Sequence, residues 1–205
     1  VIELEGEAGQ VVTQDGANRT LRLTRYTGLA VTPAHGDYYD AVSRGNCFQA
    51  SLQSAVALGT ALTLTAVTFT LFNPAASGKN LVLLETTLAI PVATTAGQVV
   101  YAVNDTPGQA APTGTAVVTG GPKNCLLGSG AASVAQVFSA ANLPLAPVAR
   151  RVLAGIISTT PGGVHHIVDR VDGKMILTPG TMVTIQGITT NATGIIGMMW
   201  EEVLA

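Results

Sequence analysis

The sequence predicts an all-β chain: a β-sandwich or jelly roll of short strands, with at most one short helix and an extended N-terminal arm. Three observations point there. Thr, Ala, Val and Gly recur in short runs that alternate with period two, the spacing that puts successive side chains on opposite faces of a sheet. Gly and Pro interrupt these runs at the rhythm of hairpin and Greek-key connections, with no helical stretches between them of the kind a parallel α/β sheet needs. Charged residues make up only 11% of the chain, against roughly 25% in ordinary globular domains. Such a shortage implies that much of the surface is covered by other chains.

The 205 residues suit one all-β domain with an arm, and such a domain is large enough to bury a core without staples. Residues 1–45 read as the arm or an edge-strand segment, and residues 46–205 as the sandwich. The first segment holds many of the charges and alternates in Thr20-Leu21-Arg22-Leu23-Thr24-Arg25-Tyr26, as an exposed edge or a strand laid on a neighbour would. It ends in His35-Gly36-Asp37-Tyr38-Tyr39-Asp40 and Arg44-Gly45-Asn46. Paired aromatics beside turn residues there read as an anchor where the arm meets the domain.

Within the domain, Phe48, Leu52 and Val56 share a helical spacing, but Gly59-Thr60 after them fits a strand that ends in a turn. Leu62-Thr63-Leu64-Thr65-Ala66 alternates, and Val67-Thr68-Phe69-Thr70-Leu71-Phe72 alternates in the opposite phase. That slip requires a bulge, a crossing between sheets, or burial on both faces. Residues 73–80, rich in Asn, Pro, Ser and Gly, form a turn into a long strand over 80–91, whose near-continuous apolar run suits the centre of a sandwich. Residues 98–103 predict another strand and 106–115 a loop. Residues 132–141 predict the one short helix, from Val134, Val137, Phe138 and Ala141 at helical spacing before Pro144 and Pro147. Strands return over 152–157, 165–171, 174–177, 182–185 and 194–203. Asp172-Gly173 predicts a tight hairpin between two of them, and Pro179-Gly180 a further turn.

The residues capable of chemistry do not assemble into a motif. Gly78-Lys79 resembles the end of a phosphate loop, but the upstream glycine is missing, Asn80 replaces the magnesium-binding hydroxyl residue, and a strand follows where a helix is required. His165 and His166 are adjacent, so a strand sends them to opposite faces; with Asp169 nearby, a metal site at a subunit junction is the functional alternative to a solvated pair. Glu201 and Glu202 also point to opposite faces, unlike the paired carboxylates of a hydrolase. No GxSxG or comparable nucleophile elbow occurs. The reading is therefore a non-enzymatic protein with no catalytic, cofactor-binding or metal-ligating residues and no cofactor.

The formal charge of -2, with scattered Lys and Arg, gives no basic footprint, so direct nucleic-acid binding is not expected. Thr, Gly or Pro interrupts every apolar run well short of a membrane span. Cys47 and Cys125, far apart and without CxxC spacing, read as two buried free thiols. The N-terminal residues do not follow the order of a secretory signal, so assembly in a reducing cytoplasm is expected, and Asn18-Arg19-Thr20 and Asn191-Ala192-Thr193 read as accidental glycosylation patterns. Trp200, among Ile195, Ile196, Met198 and Met199, reads as core.

Several stretches together resemble virion proteins of tailed bacteriophages. They are Gly36-Asp37-Tyr38-Tyr39, Arg44-Gly45-Asn46-Cys47-Phe48, the run from Val67 to Leu81 with Asn73-Pro74-Ala75-Ala76-Ser77-Gly78-Lys79-Asn80 at its end, and Ile185-Gln186-Gly187-Ile188 through Met199-Trp200-Glu201-Glu202. The resemblance covers most of the chain from Gly36 onward. It implies a jelly-roll-like subunit, often trimeric, attached to the outside of an icosahedral head as a cement or decoration protein. The implied partners are two further copies of the chain and the major capsid protein, with no direct contact to nucleic acid or membrane. The implied location is the outer capsid surface of a virion assembled in the host bacterial cytoplasm. A tail, baseplate or head-fibre component has the same composition and strand pattern, and a glycan-binding surface module is a third reading, disfavoured by an aromatic content of 4%.

Overall fold

The computed structural model describes residues 36–93, 95–117, 121–157 and 165–205. The arm assigned to residues 1–45 therefore lies mostly outside the described residues, including the alternating stretch 20–26. The chain divides into the units Val1–Tyr39 and Asp40–Ala205. Near their boundary, Tyr39 N donates to Gly36 O at 3.0 Å, and a five-residue helix, α1 (Tyr39–Ser43), begins. No other helix occurs among the described residues.

The strands are β1 (Cys47–Ser51), β2 (Val56–Ala57), β3 (Phe69–Phe72), β4 (Lys79–Ala93), β5 (Gly97–Asn104), β6 (Thr113–Ala116), β7 (Lys123–Asn124), β8 (Gln136–Asn142), β9 (Val148–Ile156), β10 (His165–Leu177), β11 (Met182–Ile188) and β12 (Ala192–Leu204). Among the described residues they form two antiparallel six-stranded sheets. One has the order β10-β4-β12-β1-β7, with β2 paired to β12, and the other β6-β8-β3-β11-β5-β9. The all-β sandwich expected from the alternation is the observed architecture.

Four of the pairings nest inside one another: β1 with β12, β3 with β11, β4 with β10, and β5 with β9. The chain runs out through β1, β3, β4 and β5 and back through β9, β10, β11 and β12, as a single long hairpin. Successive strands of each arm lie in opposite sheets, and the pairings β4 with β12 and β5 with β11 roll the hairpin closed. The faces turned inward share one core. Phe48, Leu83, Leu88, Ile196 and Trp200 come from the first sheet; Phe69, Leu71, Tyr101, Val183 and Ile185 come from the second. Each such side chain contributes about 1.5–3 kcal/mol by leaving water.

Bulges explain where the apolar pattern changes phase. Along β4, β12 pairs Met199 with Glu85 and then Trp200 with Leu83, so Leu84 is skipped. Leu81 and Leu83 are buried before the slip and Thr86, Leu88 and Ile90 after it, with Leu84 buried at the slip itself. The near-continuous apolar run is thus two alternating segments joined out of phase. The opposite phases of 62–66 and 67–72 have a different origin. Residues 62–66 form no strand, contrary to their alternation: buried Gln186 accepts from Thr63 N at 2.8 Å and donates to Thr63 O at 3.1 Å, and Ala66 adopts a left-handed φ of 52°. Ala66 N donates to Asn142 Oδ1 at 3.1 Å and Leu64 O accepts from Leu143 N at 2.7 Å, so backbone groups of this segment find partners outside a ladder. All four residues of β3 are buried.

Three further expectations are corrected. No helix forms over 132–141: residues 132–135 are irregular and 136–141 belong to β8, which pairs with β3 and β6. A helix that short is marginal alone, whereas the edge of β3 offers backbone partners and the core accepts Val137 and Ala141. Asp172-Gly173 does not join two strands that pair with each other; it is a bulge within β10, where the register with β4 jumps between Arg170 and Met175. Both residues have positive φ, 49° and 74°, so the local geometry of a tight turn is present but β4 continues past it on both sides. The loop predicted over 106–115 ends in the short exposed strand β6.

Candidate functional site

The candidate site is the side of the sandwich where β9 and β10 end their respective sheets. Each strand has one partner among the described residues, β5 for β9 and β4 for β10, so among those residues two long edges have no further strand beside them. Natural sheets cover or blunt such edges, because a free row of N–H and C=O groups recruits other strands. Here they carry exposed branched side chains, Val148, Val152, Val168 and Ile176. Between them runs an open groove of about 490 Å³, lined by Val103, Arg151, Lys174, Met175 and Met182 among others.

The charges around this groove neutralise one another. Arg150 pairs with Asp105, Arg151 Nη2 lies 2.6 Å from Asp169 Oδ1, and Lys174 Nζ lies 3.9 Å from Asp172 Oδ2. The second oxygen of Asp169 accepts from the Tyr101 hydroxyl at 2.8 Å. Tyr101 is fully buried, and burial together with the neighbouring carboxylate pushes its phenol above the ordinary value. This trio ties β10 of one sheet to β5 and β9 of the other. A partner covering the groove would meet apolar side chains and charges already compensated, which lowers the cost of desolvating them.

Of the residues singled out from the sequence, Lys79 meets Glu202 and Cys47 meets Cys125, and the others fall in separate places. His165 is half-buried and His166 exposed on β10, opposite Ile90 and Ala89 of β4. Asp169 is committed to Tyr101 and Arg151, and among the described residues no group of three or more His, Cys, Asp or Glu is placed to hold a metal. Gly78 has a left-handed φ of 63° and leads directly into β4, where Lys79 Nζ reaches Glu202 Oε2 at 2.9 Å. Glu201 and Glu202 diverge as expected for a strand: Glu201 is half-buried, and Glu202 is buried. Glu202 Oε1 accepts from Ser133 Oγ at 2.5 Å and from Val134 N at 2.9 Å. Trp200 is fully buried, its ring 6.5 Å from that of Phe48.

Two features escaped the sequence reading. The Tyr101, Asp169 and Arg151 cluster draws on three strands and leaves no spacing signal. Cys47 and Cys125, distant in sequence, lie side by side, with Cys47 buried and Cys125 only half-buried; the expectation that both thiols are buried is corrected for Cys125, which follows the short edge strand β7. No protein-family model, curated protein or solved structure matches the chain.

Proposed function

We propose that this chain is a non-enzymatic virion structural protein: a homotrimeric cement or decoration protein that binds the outer face of a phage head through the major capsid protein and stabilises the lattice. The observation that carries the reading is the β9/β10 side, with two edges that have no further strand partner among the described residues, exposed Val148, Val152, Val168 and Ile176, and self-compensated charges. In a closed trimer a neighbouring copy covers this side, a reading that the scarcity of charge along the whole chain supports. The nested hairpin supports the finer reading of the sandwich as a jelly roll, which is a long antiparallel hairpin rolled into two sheets. The charged N-terminal segment, residues 1–45, then lies across adjacent capsid proteins, and many weak contacts repeated over a symmetric lattice add up to strong attachment.

The committed positions of Asp169, Lys79 and Glu202 favour a structural over a catalytic role, and burial of Trp200 takes the sole tryptophan away from any sugar-binding surface. Cryo-electron microscopy of virions containing this subunit tests the proposal. Copies at the quasi-threefold axes of the head are expected, with the N-terminal segment on the capsid protein. Copies confined to the tail vertex would replace the cement role with a tail, baseplate or fibre role.

A further inference from the structure

We propose that Cys47 and Cys125 form a redox latch, a reversible disulfide that pins β7 and the loop after it to β1. The two residues are 78 positions apart, yet the antiparallel register Phe48 to Asn124 sets them directly opposite each other at the end of the β1/β7 ladder. Cys125 N donates to Cys47 O at 2.9 Å, which marks a hydrogen-bonded cross-strand pair. The Cα separation of such a pair, about 5.5 Å, falls inside the range a disulfide spans. The sulfurs already touch: the Cys47 thiol donates to Cys125 Sγ at 3.1 Å.

The surroundings hold this arrangement in place. Asn124 donates through Nδ2 to Gly45 O at 2.6 Å and accepts from Leu126 N at 2.8 Å, fixing the loop on either side of Cys125. Cys47 is wedged on β1 between β7 and β12, opposite Glu201. The two thiols are electronically unequal. The hydrogen bond from Cys47 holds the Cys125 thiol below its ordinary value. Donating that bond, and burial, push Cys47 up. The half-buried Cys125 is the thiol that an oxidant can reach, and the buried Cys47 is the resolving thiol behind it.

The chemistry needs an exogenous disulfide as oxidant, of the class of oxidised glutathione. Cys125 thiolate attacks one sulfur of the oxidant, its S–S bond breaks, and the first small thiol leaves. Cys47 then gives up its proton and attacks Cys125 Sγ, expelling the second small thiol. The protein loses two protons and two electrons overall, and the oxidant is reduced to two thiols. A cross-strand bridge beside the surface remains within reach of thiol reductants, so the latch is open in reducing surroundings and closed in oxidising ones. This inference is independent of the virion proposal.

The test is incubation of the full-length protein with oxidised glutathione, followed by denaturation, alkylation with iodoacetamide and peptide mass mapping. The expected result is loss of both alkylatable thiols and a linked Cys47/Cys125 peptide pair. A rise in Tm of roughly 5–10 °C is expected with it, since the bridge closes a long loop, and dithiothreitol should reverse all three. Cys125→Ser, at a half-buried position, should fold as the reduced protein does and show no rise. Two persisting thiols, a glutathione adduct that stays on Cys125, a disulfide between chains, or an equal Tm rise in C125S would each overturn the latch.

Discussion

Glu202, buried on β12, receives the Lys79 ammonium from β4 at 2.9 Å while its other oxygen holds Ser133 and Val134. One carboxylate thus joins the start of β4, the end of β12 and the segment leading into β8. Lys79 also stands in the phosphate-loop-like Gly78-Lys79, and its charge is spent here on stability.

Removing one partner leaves the other charge buried or its neighbours unbonded. Glu202→Ala is expected to cost about 3–5 kcal/mol, read as a lower urea midpoint. Lys79→Met should cost less, because Lys79 remains a third exposed and water replaces part of its bond. A Glu202→Ala loss below about 1 kcal/mol would mean that the pair behaves as a surface ion pair.

Trp200 and Phe48 face each other in register across β12 and β1, with planes inclined by 26°. Trp200→Ala should destabilise by about 3–5 kcal/mol, whereas Trp200→Phe retains most of the packing. Since Trp200 is the sole tryptophan, its emission should lie in the blue for the native protein and shift red in a single step on unfolding. A native emission already red would place the ring in water and contradict the core described above.

The raised pKa of Tyr101 makes an alkaline prediction with a definite sign. The native state keeps the phenol protonated where the unfolded chain, titrating near pH 10, has lost that proton. The contribution to stability is complete below about pH 10 and falls as pH rises toward the folded value, at up to about 1.4 kcal/mol per pH unit. Urea midpoints of wild type and Tyr101→Phe, compared from about pH 8 to about pH 11, should show the wild type losing more stability at the upper end. Parallel curves would show that Tyr101 is not the group responsible.

The proposed covering of the β9/β10 side predicts a selective effect on assembly. Val168→Lys and Val152→Lys place charges on an exposed strand face and should leave the fold within about 0.5 kcal/mol. Sedimentation velocity should find a trimer for the wild type and a monomer for the double variant. A double variant that remains trimeric would move the subunit contact to another face.

Much of the sandwich was legible from local pattern. Residues in β4, β5, β11 and β12 alternate or run apolar because strand side chains must divide between two faces, and residues 73–80 contain the Pro and Gly that a turn requires. Trp200 was legible as core because it closes the apolar run of Ile195, Ile196, Met198 and Met199. Residues 132–141 were not, since Val134, Val137, Phe138 and Ala141 satisfy a helical spacing, and only the open edge of β3 selects the strand.

The sequence by itself determined the class of structure: period-two patterning and turn residues leave a two-sheet β protein with a deficit of charge, whatever the order of its strands. Tertiary structure alone decided which strands meet. Positive φ at Asp172 and Gly173 serves a hairpin or a bulge equally well, and the uninterrupted length of β4 makes it a bulge. The contacts of Cys47 with Cys125, Asp169 with Tyr101 and Glu202 with Lys79 depend on register between distant segments. Local dihedral and hydrophobic preferences act over a few residues, whereas these neighbours are set by the rolling of the whole hairpin.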